Sequence, residues 1–199
     1  MQLQADELTC LRGGREIFRG LSFSLSAGEA MVVTGRNGAG KSSLLRMIAG
    51  LVRIAGGRLA LQGGQSDTPL AEQAHYLGHH DAMKPGLSVG ENLQFWADYF
   101  GAGTGVVSAL EAVDLALLAG LPAAYLSAGQ RRRLSIARLV AVPRAIWLLD
   151  EPTSTLDAPS QKKLAELMRG HLAGGGMIVA AAHGPIGLER ARELKLGPA

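Results

Sequence analysis

Apolar and polar residues alternate over Leu21-Ser22-Phe23-Ser24-Leu25-Ser26, the period of a half-buried strand. Ala30-Met31-Val32-Val33-Thr34 behaves differently: it is an unbroken apolar run ending at glycine, with helix-forming residues through Ile48, and it predicts strand, loop and helix in succession. Ala145-Ile146-Trp147-Leu148-Leu149 and Met177 to Ala181 are two further unbroken runs. Such runs suit parallel strands covered on both faces. In the middle of the chain, Ser88-Val89-Gly90-Glu91 has the form of a capping box. The helix it opens places Leu93, Trp96 and Phe100 at helical spacing. Beyond the glycine-rich stretch 101–105, Val106, Leu110, Val113 and Leu117 mark a second helix. The expected fold is α/β: one domain over 1–199, with an α/β core from 1–84 and 130–199 interrupted by a helical subdomain over 85–129.

Charge and composition narrow the function. The net charge is only +3, and basic residues are scattered apart from Arg131-Arg132-Arg133. A nucleic-acid binder gathers its Lys and Arg on one face, so nucleic acid is not an expected partner. Cys10 is the only cysteine, which excludes an internal disulfide and suits a reducing compartment. The N-terminal residues lack the basic-then-apolar order of a signal peptide. No apolar run approaches the ~18 residues that a membrane span needs. Membrane contact is therefore expected only through another chain.

The first predicted strand, loop and helix carry Gly35-Arg36-Asn37-Gly38-Ala39-Gly40-Lys41-Ser42, which matches G-x-x-x-x-G-K-[ST] in the context that motif requires. Glycines let backbone N–H groups turn inward around phosphates, and a helix N-terminus adds favourable partial charge. Lys41 is expected to reach the β- and γ-phosphates of ATP, and Ser42, with Ser43 beside it, to offer its hydroxyl to Mg²⁺. Leu148-Leu149-Asp150-Glu151-Pro152 puts two carboxylates at the C-terminal end of an apolar strand, the edge where open α/β sheets bind ligands. Asp150 is expected in the magnesium shell and Glu151 as the base for the attacking water.

Between these motifs, Leu126-Ser127-Ala128-Gly129-Gln130, followed by Arg131 to Arg138, resembles the signature segment of the ABC ATPases, usually LSGGQ. The resemblance covers nearly the whole chain. It implies a P-loop NTPase core with a mostly parallel sheet, an antiparallel β edge and a helical insert. It further implies a homodimer in which Ser127, Gly129 and Gln130 of one copy close over ATP held by the other. Ser154-Thr155-Leu156-Asp157 resembles the family's D-loop, which implies that Asp157 lies near the dimer interface. His183, just beyond the last apolar run, resembles its switch histidine and is expected at the γ-phosphate.

Three positions depart from the family pattern. Tyr76-Leu77-Gly78-His79-His80 stands where a glutamine is usual; spacing favours His79 as its counterpart in catalysis and metal binding, with His80 as the alternative. Imidazole can accept or coordinate what an amide would, and it titrates near neutral pH. Arg12 stands where an aromatic usually stacks on adenine, and a guanidinium plane can also lie on a base. Ala128 replaces a glycine, a small change.

Tyr76-Leu77-Gly78-His79, Lys84-Pro85-Gly86-Leu87-Ser88 and Glu91-Asn92-Leu93-Gln94-Phe95-Trp96 are together similar to the ATPases of cytochrome c maturation haem exporters. A chain that stops soon after His183 suits that short type. The similarity implies the permease subunit of that system as partner and a peripheral position on the cytoplasmic face of the bacterial inner membrane. Phe95, Trp96, Tyr99 and Phe100 form either the insert's own core or a groove for a partner helix, with Lys84, Pro85 and Leu87 alongside. The competing readings are an ABC ATPase for another export cargo, lipoprotein or peptide, and an ABC ATPase outside transport. The latter usually carries a long coiled coil or a second phosphate loop, and this chain has neither.

Overall fold

The structure, a computed structural model, describes residues 1–101 and 105–197, which group into two compact units. The first unit comprises 1–78, 144–152 and 168–199; the second comprises 79–143 and 153–167.

In the first unit, β1 (Gln2–Arg12), β2 (Arg15–Ser26) and β4 (Gly56–Gln62) form an antiparallel sheet in the order β2-β1-β4. β3 (Ala30–Thr34), β5 (Ala74–Leu77), β6 (Ile146–Asp150), β7 (Met177–Ala181) and β8 (Arg192–Lys195) form a parallel sheet in the order β5-β6-β7-β3-β8. Every residue of β6 and β7 is buried, as expected of strands covered on both faces. Helix α1 (Lys41–Ile48) contributes Leu44, Leu45 and Ile48 to a single apolar cluster that also holds Leu3, Leu8 and Leu25 from the antiparallel sheet and Leu148 and Val179 from the parallel one. Burial contributes about 1.5–3 kcal/mol for each such side chain. That cluster anchors the helix that follows the glycine loop.

Register then builds one edge. Asp150 pairs with Ala181, and Val33 pairs with the same residue from the other side. Three chain segments therefore leave the sheet at one level: the glycine loop after β3, Glu151 after β6 and His183 after β7. This is the C-terminal edge of the parallel sheet.

Helix α5 (Ala158–Ala173) ends on a tight aromatic contact in this unit. His171 stacks on Trp147 with ring centroids 4.1 Å apart and planes 7° from parallel. Gly176 makes room for it, because a Cβ there would lie 2.2 Å from the imidazole. Burial pushes the His171 pKa down, against a weaker opposing pull from the Met177 carbonyl. A histidine whose pKa is lower in the fold than in the unfolded chain stabilises the fold fully above the ordinary imidazole range, and that stability is lost as pH falls through it. The wild-type melting temperature is therefore expected to drop between neutral and mildly acidic buffer, and His171→Phe, which keeps a stacking ring without a titrating group, to flatten that drop. Thermal melts over a pH series check this.

The second unit is mostly helical: α2 (Val89–Tyr99), α3 (Val106–Ala112) and α4 (Ala128–Ala141), with short 3₁₀ turns between. Ser88 caps α2 in the expected capping box with Glu91. The second helix is shorter than its apolar spacing predicts. It stops at Ala112 because Asp114 adopts a left-handed conformation, φ 55°. Leu115 N–H then bonds the Leu110 carbonyl at 2.8 Å and Asp114 N–H that of Glu111 at 3.1 Å, the two bonds of a Schellman ending. Leu115 rather than Leu117 turns inward, and Leu117 is fully exposed.

The basic run on α4 is consumed within this unit. Arg131 donates to the Leu126 carbonyl, and Arg133 to the carbonyls of Val113 and Asp114. Arg132, 2% exposed, pairs with Asp81 at 3.6 Å. Burial pushes Arg138 down to about 10.

Candidate active site

The loop between β3 and α1 is shaped by glycines that no other residue could replace without rearrangement. Gly35 has φ 141°, and a Cβ on it would lie 2.4 Å from the Leu196 carbonyl oxygen. Gly40, at φ 102°, is the N-cap of α1, and its Cβ would meet Ile17 at 2.5 Å. Lys41 is buried except for 8% of its surface and donates from Nζ to the carbonyls of Gly35 at 2.8 Å and Arg36 at 3.3 Å. Its ammonium is thus folded over the loop it follows.

Ser42 donates through Oγ to Asp150 Oδ1 at 2.9 Å. Asp150 is only 4% exposed, at the end of β6, and its Oδ2 accepts from the Tyr76 hydroxyl at 3.1 Å. The Tyr76 oxygen in turn accepts from Arg46 Nε at 3.1 Å. Glu151 sits at φ 47°, a costly backbone conformation for a residue with a Cβ, and its N–H is tied to the Ala181 carbonyl at 2.9 Å. Its Oε1 lies 3.6 Å from His183 Nε2.

Several of these groups line one cleft of about 290 Å³. It collects Asn37, Gly38, Gly40, Lys41, Ser42, Ser43, Asp150, Glu151 and His183 from the residues singled out in the sequence, and adds Ile17 of β2. Gly35, Arg36 and Ala39 complete the loop without lining the cleft. Arg12 does not line it either; it is exposed at the end of β1, opposite Arg15 across a turn with Gly13 and Gly14 at positive φ. Hydroxyl and carboxylate oxygens 2.9 Å apart are the donors a hard divalent cation takes. Backbone N–H groups at a helix start, with an ammonium nearby, suit a polyphosphate.

The remaining predicted residues belong to the second unit. Ser127 caps α4: its Oγ accepts from Gln130 N–H at 3.2 Å, and Gln130 Oε1 accepts from Ser127 N–H at 2.8 Å. Both lie at an exposed helix start. Gly129 leaves space for the Thr155 carbonyl, which a Cβ would approach at 3.1 Å. Asp157 is exposed and accepts from Ser160 N–H at 2.9 Å; the Ser160 side chain first, and this N–H second, hold its carboxyl below the usual range. His79 and His80 are both exposed, with rings edge to face at 5.6 Å. On α2 the aromatic cluster divides. Trp96 is half-buried with the Arg138 guanidinium over its ring at 4.9 Å, while Phe95 and Tyr99 are exposed and Lys84 lies 4.4 Å over the Phe95 ring.

A family model described as ABC transporter matches residues 18–154. This chain belongs to the ABC transporter family. It is an ABC-type ATPase. A protein of Rhodopseudomonas palustris (strain BisB5), named cytochrome c biogenesis ATP-binding export protein CcmA, is 60% identical over 200 residues and covers 100% of both chains. One of the same name from Nitrobacter winogradskyi is 59% identical over the same extent. Among solved structures, an ATP-binding subunit of an ABC transporter superposes with a TM-score of 0.88 at 23% identity, covering 98% of this chain and 86% of that one. An Atm1-family ABC exporter with ATP bound gives 0.84 at 24% identity, with 98% of this chain on 37% of the other. At those identities the solved structures speak for the fold alone. No helix among the described residues is long and apolar enough to cross a membrane.

Proposed function

We propose that this chain is the ATP-driven motor of an export complex for cytochrome c biogenesis, with haem as the cargo. The observation that carries this reading is full-length similarity, at 60% identity, to a protein named for export in cytochrome c biogenesis. The residues fit the work. The N–H groups of 35–40 and the Lys41 ammonium hold the phosphates of ATP, and Arg12 meets the adenine. Ser42 and Asp150 would hold Mg²⁺. Bound there, Mg²⁺ neutralises charge building on the phosphoryl oxygens. Glu151 accepts a proton from the attacking water, and His183 steadies the γ-phosphate end of the cleft.

A second copy completes the site. Its Ser127, Gly129 and Gln130 present a helix N-terminus to the γ-phosphate, and its Asp157 lies beside the interface. Closure on ATP and reopening after hydrolysis supply motion to the membrane partner. That partner is the permease of the cytochrome c maturation system, and the chain works peripherally on the cytoplasmic face of the inner membrane. The exposed Phe95 and Tyr99, with Lys84 over the first ring, offer the permease an aromatic contact.

The test is a chromosomal Lys41→Ala replacement, with c-type cytochromes read by haem staining. Their loss, restored by a wild-type copy, is expected. Normal c-type cytochromes beside failure of another exported product would overturn the cargo assignment.

A further inference from the structure

The hydrogen bonds around Asp150 have only one possible direction. Arginine donates and never accepts, while an ionised carboxylate accepts and never donates. Arg46 Nε must therefore donate to the Tyr76 oxygen at 3.1 Å, and the single Tyr76 hydroxyl hydrogen must go to Asp150 Oδ2 at 3.1 Å. By the same rule Ser42 spends its one hydrogen on Asp150 Oδ1 at 2.9 Å, which leaves the serine lone pairs for a cation. These three donors come from three places in the first unit: the start of α1, its second turn at Arg46, and β5. Neither Tyr76 nor Arg46 lines the cleft.

We infer that Tyr76, oriented by Arg46, is a positioning residue for Asp150: it fixes the plane of the carboxylate, so that the oxygen paired with Ser42 stays aimed at the metal position. This rests on the reading of Ser42 and Asp150 given above and extends it outward by two residues. The terminal torsion of an aspartate is broad, so one bond alone leaves the carboxylate free to turn. With Ser42 on one oxygen and Tyr76 on the other, it is held at both ends. Burial sharpens the requirement, since Asp150 is 4% exposed and water cannot readily replace a lost donor. The Tyr76 ring is itself clamped by the chain turn at Gly78, where a Cβ would lie 2.9 Å from the ring edge. Arg46 completes a directed relay in which each bond polarises the next.

Tyr76→Phe removes one hydroxyl and keeps the clamped ring. Mn²⁺ is the probe, titrated by electron paramagnetic resonance onto the full-length protein loaded with a non-hydrolysable ATP analogue. Loss of a partner behind a metal ligand typically weakens metal binding about 10- to 100-fold, and that is the shift expected. Analogue affinity without metal and the melting temperature should stay at wild-type values, and the lost ATPase rate should return at saturating Mg²⁺. Arg46→Gln should weaken Mn²⁺ in the same direction and add nothing in the Tyr76→Phe background, because both act through one bond. Unchanged Mn²⁺ affinity in Tyr76→Phe, full additivity of the pair, or a fall in metal-free affinity together with melting temperature would each overturn the inference. Ser42→Ala and Asp150→Asn run alongside. If these two also keep wild-type Mn²⁺ affinity, the reading of the metal site fails; if they lose it while Tyr76→Phe does not, only the relay is wrong.

Discussion

Glu151→Gln is expected to keep ATP bound and to lower its hydrolysis by about 10²- to 10⁴-fold, the contribution of a positioned general base. The substitution is nearly isosteric, and the backbone that holds the side chain does not depend on its charge: the N–H bond to the Ala181 carbonyl fixes the left-handed turn at φ 47°. What disappears is the carboxylate proposed to take the proton from water. Lys41, Ser42 and Asp150 remain, so nucleotide should still enter the cleft. With reopening blocked, the ATP-bound dimer should accumulate and be visible by size exclusion. Phosphate release and nucleotide binding measured on the same preparation check both halves of the claim. Wild-type turnover in Glu151→Gln would remove Glu151 from the role of base.

The second large effect is expected at Ser127, far along the chain from the phosphate loop. Ser127→Asp is the informative change because aspartate caps a helix as well as serine does, so the bond from Gln130 N–H survives. In the proposed dimer the new carboxylate would face the γ-phosphate of the ATP held by the other copy. Turnover should fall by about 10²-fold or more, the scale on which one lost stabilising donor acts at a phosphoryl or oxyanion site. The melting temperature and the affinity of each copy for nucleotide should hold. Ordinary hydrolysis in this variant would mean that α4 begins away from the reacting phosphate.

Much of this architecture is readable in the chain because parallel strands leave a plain signature. β6 and β7 are buried on both faces, so their apolar runs are unbroken, and Met177 to Ala181 stands in the structure with the bounds its run suggests. Other strands carry no such mark. β1 begins with alternating burial but is interrupted near Glu7, where φ is 50° and the pairing register shifts. β8 is a charged edge strand, Arg192-Glu193-Leu194-Lys195, with no apolar period to find. The end of α3 depends on a left-handed aspartate, and the spacing of apolar residues past it is misleading. The candidate site divides in the same way. Residues 35–43, Asp150 and Glu151 are legible because each motif is local in sequence. Ile17, Arg46 and Tyr76 are not, since each reaches the site only through tertiary packing: a strand crossing the loop, a helix face and the pairing of Tyr76 with Leu148. A tyrosine inside a short strand carries no sign in sequence that its hydroxyl meets a carboxylate 74 residues away.

The central claim is that ATP is sandwiched between two copies of this chain, each giving half of the pocket. Mixing two inactive variants tests it most directly. Lys41→Ala destroys the phosphate loop of its own copy, and Ser127→Asp destroys the signature half. Either variant alone has no complete site. When the two are co-expressed with the membrane partner, a mixed dimer pairs the intact loop of one with the intact signature of the other. Half of the dimers then carry one complete site of two, so ATPase activity should return to as much as about a quarter of wild type. Continued inactivity, with mixed dimers demonstrated by differential tags, would contradict a shared site.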